Sequence, residues 1–163
     1  MNIFVLNNCP IESAKIQHDK HIVKMVLESA QMLCSAFDQD KFNVPYKKAH
    51  YNHPCTIWCR ETLPNFKWLV KHGIALAEEY THRYKKIHKS QAVIEWCLDN
   101  VSKIDIQNSY ITPFAQAMPD KYKSENAVKS YINYYIGEKL NNAKWTNRNI
   151  PNVFQDYFDS VKN

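Results

Sequence analysis

From Ser13 to Phe37 the apolar residues Ile22, Val26, Ala30, Leu33 and Phe37 return at intervals of three or four, with no glycine or proline among them. That interval puts side chains on one face of an α-helix. The spacing predicts a helix over 13–37, ended by the stretch Asp38 to Pro45. The same period returns from Thr62 or Pro64 to about Ile87, where Phe66, Leu69, Val70, Gly73, Leu76, Ala77, Tyr80 and Tyr84 form a buried side and Lys67, Lys71, Glu78 and His82 stay wet. Ser90 is placed to cap a helix reaching Asn100, with Val93, Ile94, Cys97 and Val101 inward. Ser124 and Glu125 start another, carried on by Val128, Tyr131, Ile132, Tyr135, Ile136 and Leu140. Shorter helices are expected over Cys55–Arg60 and around Phe154, Tyr157, Phe158 and Val161. The remainder reads as connection: an extended start Asn2–Leu6 closed by Asn7-Asn8-Cys9-Pro10, then Lys47–Pro54, Tyr110–Pro119 and Trp145–Pro151. The fold expected is all-α, a compact single-domain helical bundle over residues 1–163 with a short extended N-terminus.

Composition narrows the function. The chain has 163 residues, enough for one core and too few for two comfortable ones. Only 2 glycines occur, Gly73 and Gly137, which excludes Gly-rich phosphate loops and dinucleotide fingerprints. A net charge of +5 favours an anionic partner. The 5 cysteines, Cys9, Cys34, Cys55, Cys59 and Cys97, follow no disulfide framework, and no signal-peptide pattern precedes them. A reducing, cytoplasmic setting is expected. No apolar run approaches the roughly 20 residues that would cross a bilayer.

Within the first long helix, His21, Lys24, Glu28 and Gln31 share a second, polar face. His21 and Glu28 lie two turns apart, roughly 10.5 Å, so both can face one substrate without touching. A solvated helix face would have the same pattern. Metal ligation is the first chemistry to weigh, since His18, His21, His50, His53, Cys55, Cys59, His82 and His88 are of ligating type. The spacing speaks against it: Cys55 and Cys59 have no second matching pair, and His18-x-x-His21 lacks the glutamate of the zinc proteases. The paired His-Asp pattern of phosphohydrolases cannot be assembled either. A second possibility is a nucleic-acid surface of Lys20, Lys24, Lys47, Lys48, His50, His53, Arg60 and Arg148 with interleaved aromatics. A third is acid–base or lyase chemistry around Glu28, served by an amine nucleophile. An α-amine ordinarily titrates well below a lysine and is the better intrinsic nucleophile.

The order of motifs resembles the pyrimidine-dimer DNA glycosylase/AP lyase family, the small helical repair enzymes of the phage endonuclease V type. In that family a short apolar start leads into a helix bearing a catalytic glutamate. Here Asn2-Ile3-Phe4-Val5-Leu6 precedes Asp19-Lys20-His21, and the superposition puts the glutamate on Glu28. The Asn-His-Pro element of cellular members is similar to Asn52-His53-Pro54, the helix beyond it to Trp68 through Tyr84, and the C-terminal aromatic region falls near Trp145. The chain also resembles a set of phage proteins that share the Asp-Lys-His and Asn-His-Pro motifs. It departs from the family at two places: Asn2 stands where a threonine follows the initiator Met, and Leu27 where an arginine precedes the glutamate, leaving Lys24 as the nearby cation. The resemblance implies base flipping and imine chemistry at C1′ of a damaged or modified deoxynucleotide. The catalytic set would be Glu28, Asn2 (through its α-amine once Met1 is removed) and His21. Lys20, Lys24, His50, Asn52, His53, Arg60, Trp145 and Arg148 would contact DNA, and no metal or organic cofactor is required. Two other readings use the same residues: a non-enzymatic phage protein binding nucleic acid or a host partner, and a hydrolase or transferase acting on a small nucleotide-like anion in the His-rich loop.

Overall fold

The computed structural model describes residues 1–163 and contains seven α-helices, short 3-10 turns and no strand. The helices are α1 (Pro10–Ile16), α2 (Asp19–Cys34), α3 (Pro54–Glu61), α4 (Leu63–Tyr84), α5 (Gln91–Asp99), α6 (Ala127–Glu138) and α7 (Gln155–Val161). The all-α expectation holds. No helix is long and apolar enough to cross a membrane.

The single helix expected over 13–37 is two. α1 starts earlier, at Pro10, whose missing N–H costs nothing in a first turn. It stops at Ile16, where Gln17 and His18 turn extended with ψ 141 and 166. The break is stabilised by distant partners. His18 Nδ1 caps α2 by accepting from the His21 N–H at 3.4 Å, and the Asp19 N–H donates to the Lys144 carbonyl at 2.8 Å. The Asp19 carboxylate takes the Thr146 N–H at 2.9 Å and Arg83 Nη1 at 3.0 Å. α6 likewise begins at Ala127 rather than Ser124, because Gln116 holds the Ser124 backbone from both sides and Asn126 caps the helix by accepting from the Lys129 N–H at 3.1 Å. α4 ends at Tyr84 rather than near Ile87, where Lys85 turns left-handed with φ 57.

α4 is the central rod, contacted by α1, α2, α3 and α5. Thr62 caps it, accepting from the Asn65 N–H at 3.2 Å. Gly73 lets α2 and α5 close on it, since a Cβ there would lie 2.9 Å from Ile94 Cδ1 and 3.3 Å from Ser29 Cβ. One apolar cluster runs from Ile3 to Phe154. The N-terminal segment belongs to it: Ile3, Phe4, Val5 and Leu6 are buried without forming a strand. Their backbone is satisfied by side chains instead. Ser13 Oγ donates to the Phe4 carbonyl and accepts from the Leu6 N–H, both at 2.9 Å, and Gln17 Nε2 reaches the Phe4 carbonyl at 3.3 Å. Three indole N–H groups pin other irregular segments. Trp68 donates to Asn8 at 3.0 Å, Trp58 to Thr112 at 3.2 Å and Trp145 to Ile16 at 2.9 Å.

Candidate active site

The polar face of α2 is not a solvated one. Glu28 is 6% exposed and His21 9%, while Lys24 remains in water. A buried carboxylate needs a partner, and Glu28 has the start of the chain: the Met1 α-nitrogen lies 2.8 Å from Oε1. Lys24 Nζ stands 3.9 Å from Oε2, which is buried and accepts no hydrogen bond. The site therefore holds an amine beside a carboxylate that keeps one oxygen free.

The placement of that amine follows from how residues 2–4 are tied. Asn2 Oδ1 accepts from the Ile3 N–H at 2.8 Å, the Tyr131 hydroxyl stands 3.0 Å away and the Cys55 thiol 3.4 Å, and Nδ2 donates to the Ala117 carbonyl at 2.8 Å. Phe4 stacks on His21 with ring centres 4.0 Å apart. His21 Nδ1 lies 2.6 Å from the Tyr135 hydroxyl, and its ring stacks on His18 at 4.1 Å. Burial, with His18, Lys139 and Lys24 nearby, pushes the His21 imidazole down to about 2. It is neutral throughout the physiological range. Burial also pushes the Cys55 thiol up to about 11 and holds the Tyr131 hydroxyl well above its usual range. The collar around Asn2 is thus uncharged, and the ionic groups are gathered at Met1, Lys24 and Glu28.

His53 lies near enough to the chain start and Glu28 to feel their charges. It precedes α3 and caps it, Nδ1 accepting from the Cys55 N–H at 3.1 Å, which leaves Nε2 as the donor when the ring is neutral. Its imidazole is held below the usual histidine range by burial, then by the α-amine and His50, with Glu28 opposing. Those influences bring the chain start, Glu28, His50 and His53 into one electrostatic neighbourhood. His50 is exposed and left-handed, with φ 48, and its carbonyl accepts from the His53 N–H at 3.0 Å, so Tyr51 and Asn52 project outward from a closed turn.

Other residues that the sequence pointed to make no contact with Glu28 or the amine. Lys20 is exposed on the first turn of α2. Arg60 packs over Tyr51. Trp145 is buried against His18, Phe154 and Phe158, so its ring offers no free face. Arg148 binds the Glu79 carboxylate at 2.8 and 3.0 Å, in a network with Arg83 and Asp19. Asp19 opens α2 and Glu28 lies nine residues on, about 13.5 Å along the axis. Sequence reasoning raised an α-amine but put it on Asn2, and it did not point to Cys55 and Tyr131 as the partners of Asn2; Tyr131 carries no local signal because Asn2 is 129 residues away.

The open carboxylate oxygen beside an amine suits a carbonyl-like or glycosidic carbon that an amine can attack and a carboxylate can serve as proton carrier. Residues 1–92 match the family described as pyrimidine dimer DNA glycosylase. That is more than half of the chain and includes Met1, Asn2, Glu28 and His53. No curated protein and no solved structure matches.

Proposed function

Because the chain belongs to the pyrimidine dimer DNA glycosylase family, we propose that it is a DNA glycosylase/AP lyase whose own α-amine attacks C1′ of a damaged or modified deoxynucleotide. The observation that carries this reading is the Met1 α-nitrogen held 2.8 Å from Glu28, with the second carboxylate oxygen buried and without a hydrogen bond. Chain termini are ordinarily loose, and a buried ion pair is a poor stabiliser. A terminus locked in one is explained by chemistry.

Glu28 takes a proton from the ammonium and frees its lone pair. The N–C1′ bond forms as the bond to the base breaks, and the base leaves with that electron pair and a proton from the nitrogen. The nitrogen lone pair then expels O4′, which collects the proton held by Glu28, leaving a protonated imine. The carboxylate, free again, removes a C2′ proton, and the electrons released expel the 3′ phosphate. Water returns the amine by hydrolysing the imine.

We assign the attack to the amine of Met1. The resemblance pointed to Asn2; with Met1 in place the Asn2 nitrogen is part of a peptide bond, and its side chain anchors the segment so that the Met1 nitrogen is the one beside Glu28. Removal of Met1 would set the amine back by one residue, about 3.8 Å. His21 we assign to positioning: a neutral ring that stacks on Phe4 fixes the segment and carries no proton to spare. Lys24, His50, Asn52 and His53 are left to meet the DNA around the flipped nucleotide.

The test is borohydride trapping on duplexes carrying an abasic site or a pyrimidine dimer, followed by peptide mapping of the adduct. A Met1 adduct is expected. One on Asn2 would move the amine back to that residue, one on a lysine would overturn the α-amine mechanism, and neither adduct nor cleavage would remove the lyase reading.

A further inference from the structure

Beside the His50–His53 turn an open cleft of about 520 Å³ lies between the end of α2, the loop beyond it and the turn after α5. Its rim carries Lys48, Arg60 and Lys103, none of which has a carboxylate within ion-pairing distance. Two acids also line it. Asp38 is engaged by Lys41 at 3.5 Å, which leaves Asp105 against three cations.

Those cations are held on aromatic rings. Arg60 lies 3.6 Å and Lys48 4.7 Å from the centre of the Tyr51 ring, and Lys103 lies 5.4 Å from that of Phe42. A ring orders a cation without neutralising it. Arg60 Nη1 donates to the Tyr51 carbonyl at 2.6 Å, and its other N–H groups, with the ammoniums of Lys48 and Lys103, keep their capacity to donate to an anion. Tyr51 already bears the Arg60 guanidinium, so it is no free platform for a stacked base. The ligand chemistry is that of phosphate.

Position says which phosphate. Tyr51 precedes His53 by two residues, at most about 7 Å of chain, and the His50–His53 turn fixes the one against the other. We propose that Lys48, Arg60 and Lys103 seat backbone phosphates of the DNA strand that runs away from the Glu28 site. The proposal rests on the reading of the chain as DNA-acting and adds the direction in which the strand leaves.

The experiment measures the salt dependence of binding to a duplex with a stable abasic analogue. Each phosphate contact contributes about 0.9 to the slope of log K against log salt. The exposed pair K48A/K103A is expected to lower that slope by about 2, equally for any flanking sequence. An unchanged slope in K48A/K103A overturns the seat, as does an equal loss in K67A/K71A on the outer face of α4, which would report net charge alone. Absence of salt-sensitive binding by the unaltered protein overturns it too. A slope that depends on the cleft in a protein that forms no borohydride adduct would remove the lyase reading and keep the seat.

Discussion

The two oxygens of Glu28 have unlike surroundings, and that difference decides what substitution does. Oε1 faces the α-amine while Oε2 has only Lys24, 3.9 Å away. On the proposed mechanism Glu28→Gln keeps the shape and removes the proton carrier, so cleavage of an abasic duplex is expected to fall by about 10²–10⁴-fold, read from strand-scission rates with far-UV circular dichroism unchanged. His53 separates two duties. As the cap of α3 it is replaceable by asparagine, whereas His53→Ala is expected to cost about 1 kcal/mol in urea unfolding, with His53→Asn near the parent value. The place of Glu28 on the polar face of α2 was legible in the sequence because its signal is local: a carboxylate among Lys24 and His21 at helical spacing, behind an apolar start. His21 shows the limit of that signal. Spacing put it on the polar face, but its partners Phe4 and Tyr135 turn it into a buried, neutral support.

At the scale of elements, periodicity located the helices and failed at their ends. The break at Gln17–His18 depends on Lys144, Thr146 and Arg83, whose sequence separations from Asp19 run from 64 to 127 residues. No window of neighbouring residues contains them. The partner of Arg148 was hidden for the same reason: its charge is answered by Glu79, and that cluster ties the segment after α6 to α2 and α4. Arg83 is fully buried within it, while Arg148 is 37% exposed at its side chain. Although burial opposes ionisation, Arg148 and Arg83 hold the Glu79 carboxyl below its usual range. Glu79→Ala would leave Arg83 with Asp19 as its one carboxylate, 3.0 Å away, and its Nε without a partner, and is expected to lower stability by about 1–3 kcal/mol. Arg148→Ala, made at the wet edge, is expected to cost much less, and chemical denaturation of the two variants compares them directly.

The whole molecule carries an acid sensitivity set by its interior histidines. Burial pushes His18 and His72 down to about 4 and His21 to about 2, against an ordinary 6.5. An unfolded chain takes up protons at these positions as pH falls through 6.5, while the folded one resists until pH 4 or lower. The stability they contribute is complete above pH 6.5 and erodes between 6.5 and 4, by several kcal/mol in total on the scale of about 1.4 per pKa unit. Glu79 acts in the same direction at the acid end of that range. Urea midpoints should fall steadily from pH 7 to 4.5, and a flat profile over that range would contradict the neutral cluster. The indole hydrogen bonds offer a way to watch such changes. Trp58, Trp68 and Trp145 each fasten a stretch that lacks helix, Trp58 and Trp68 sharing Phe114 as a neighbour. Their emission therefore reports the docking of the connecting segments, and a red shift without loss of circular dichroism would mark the moment the loops let go while the helical frame still stands.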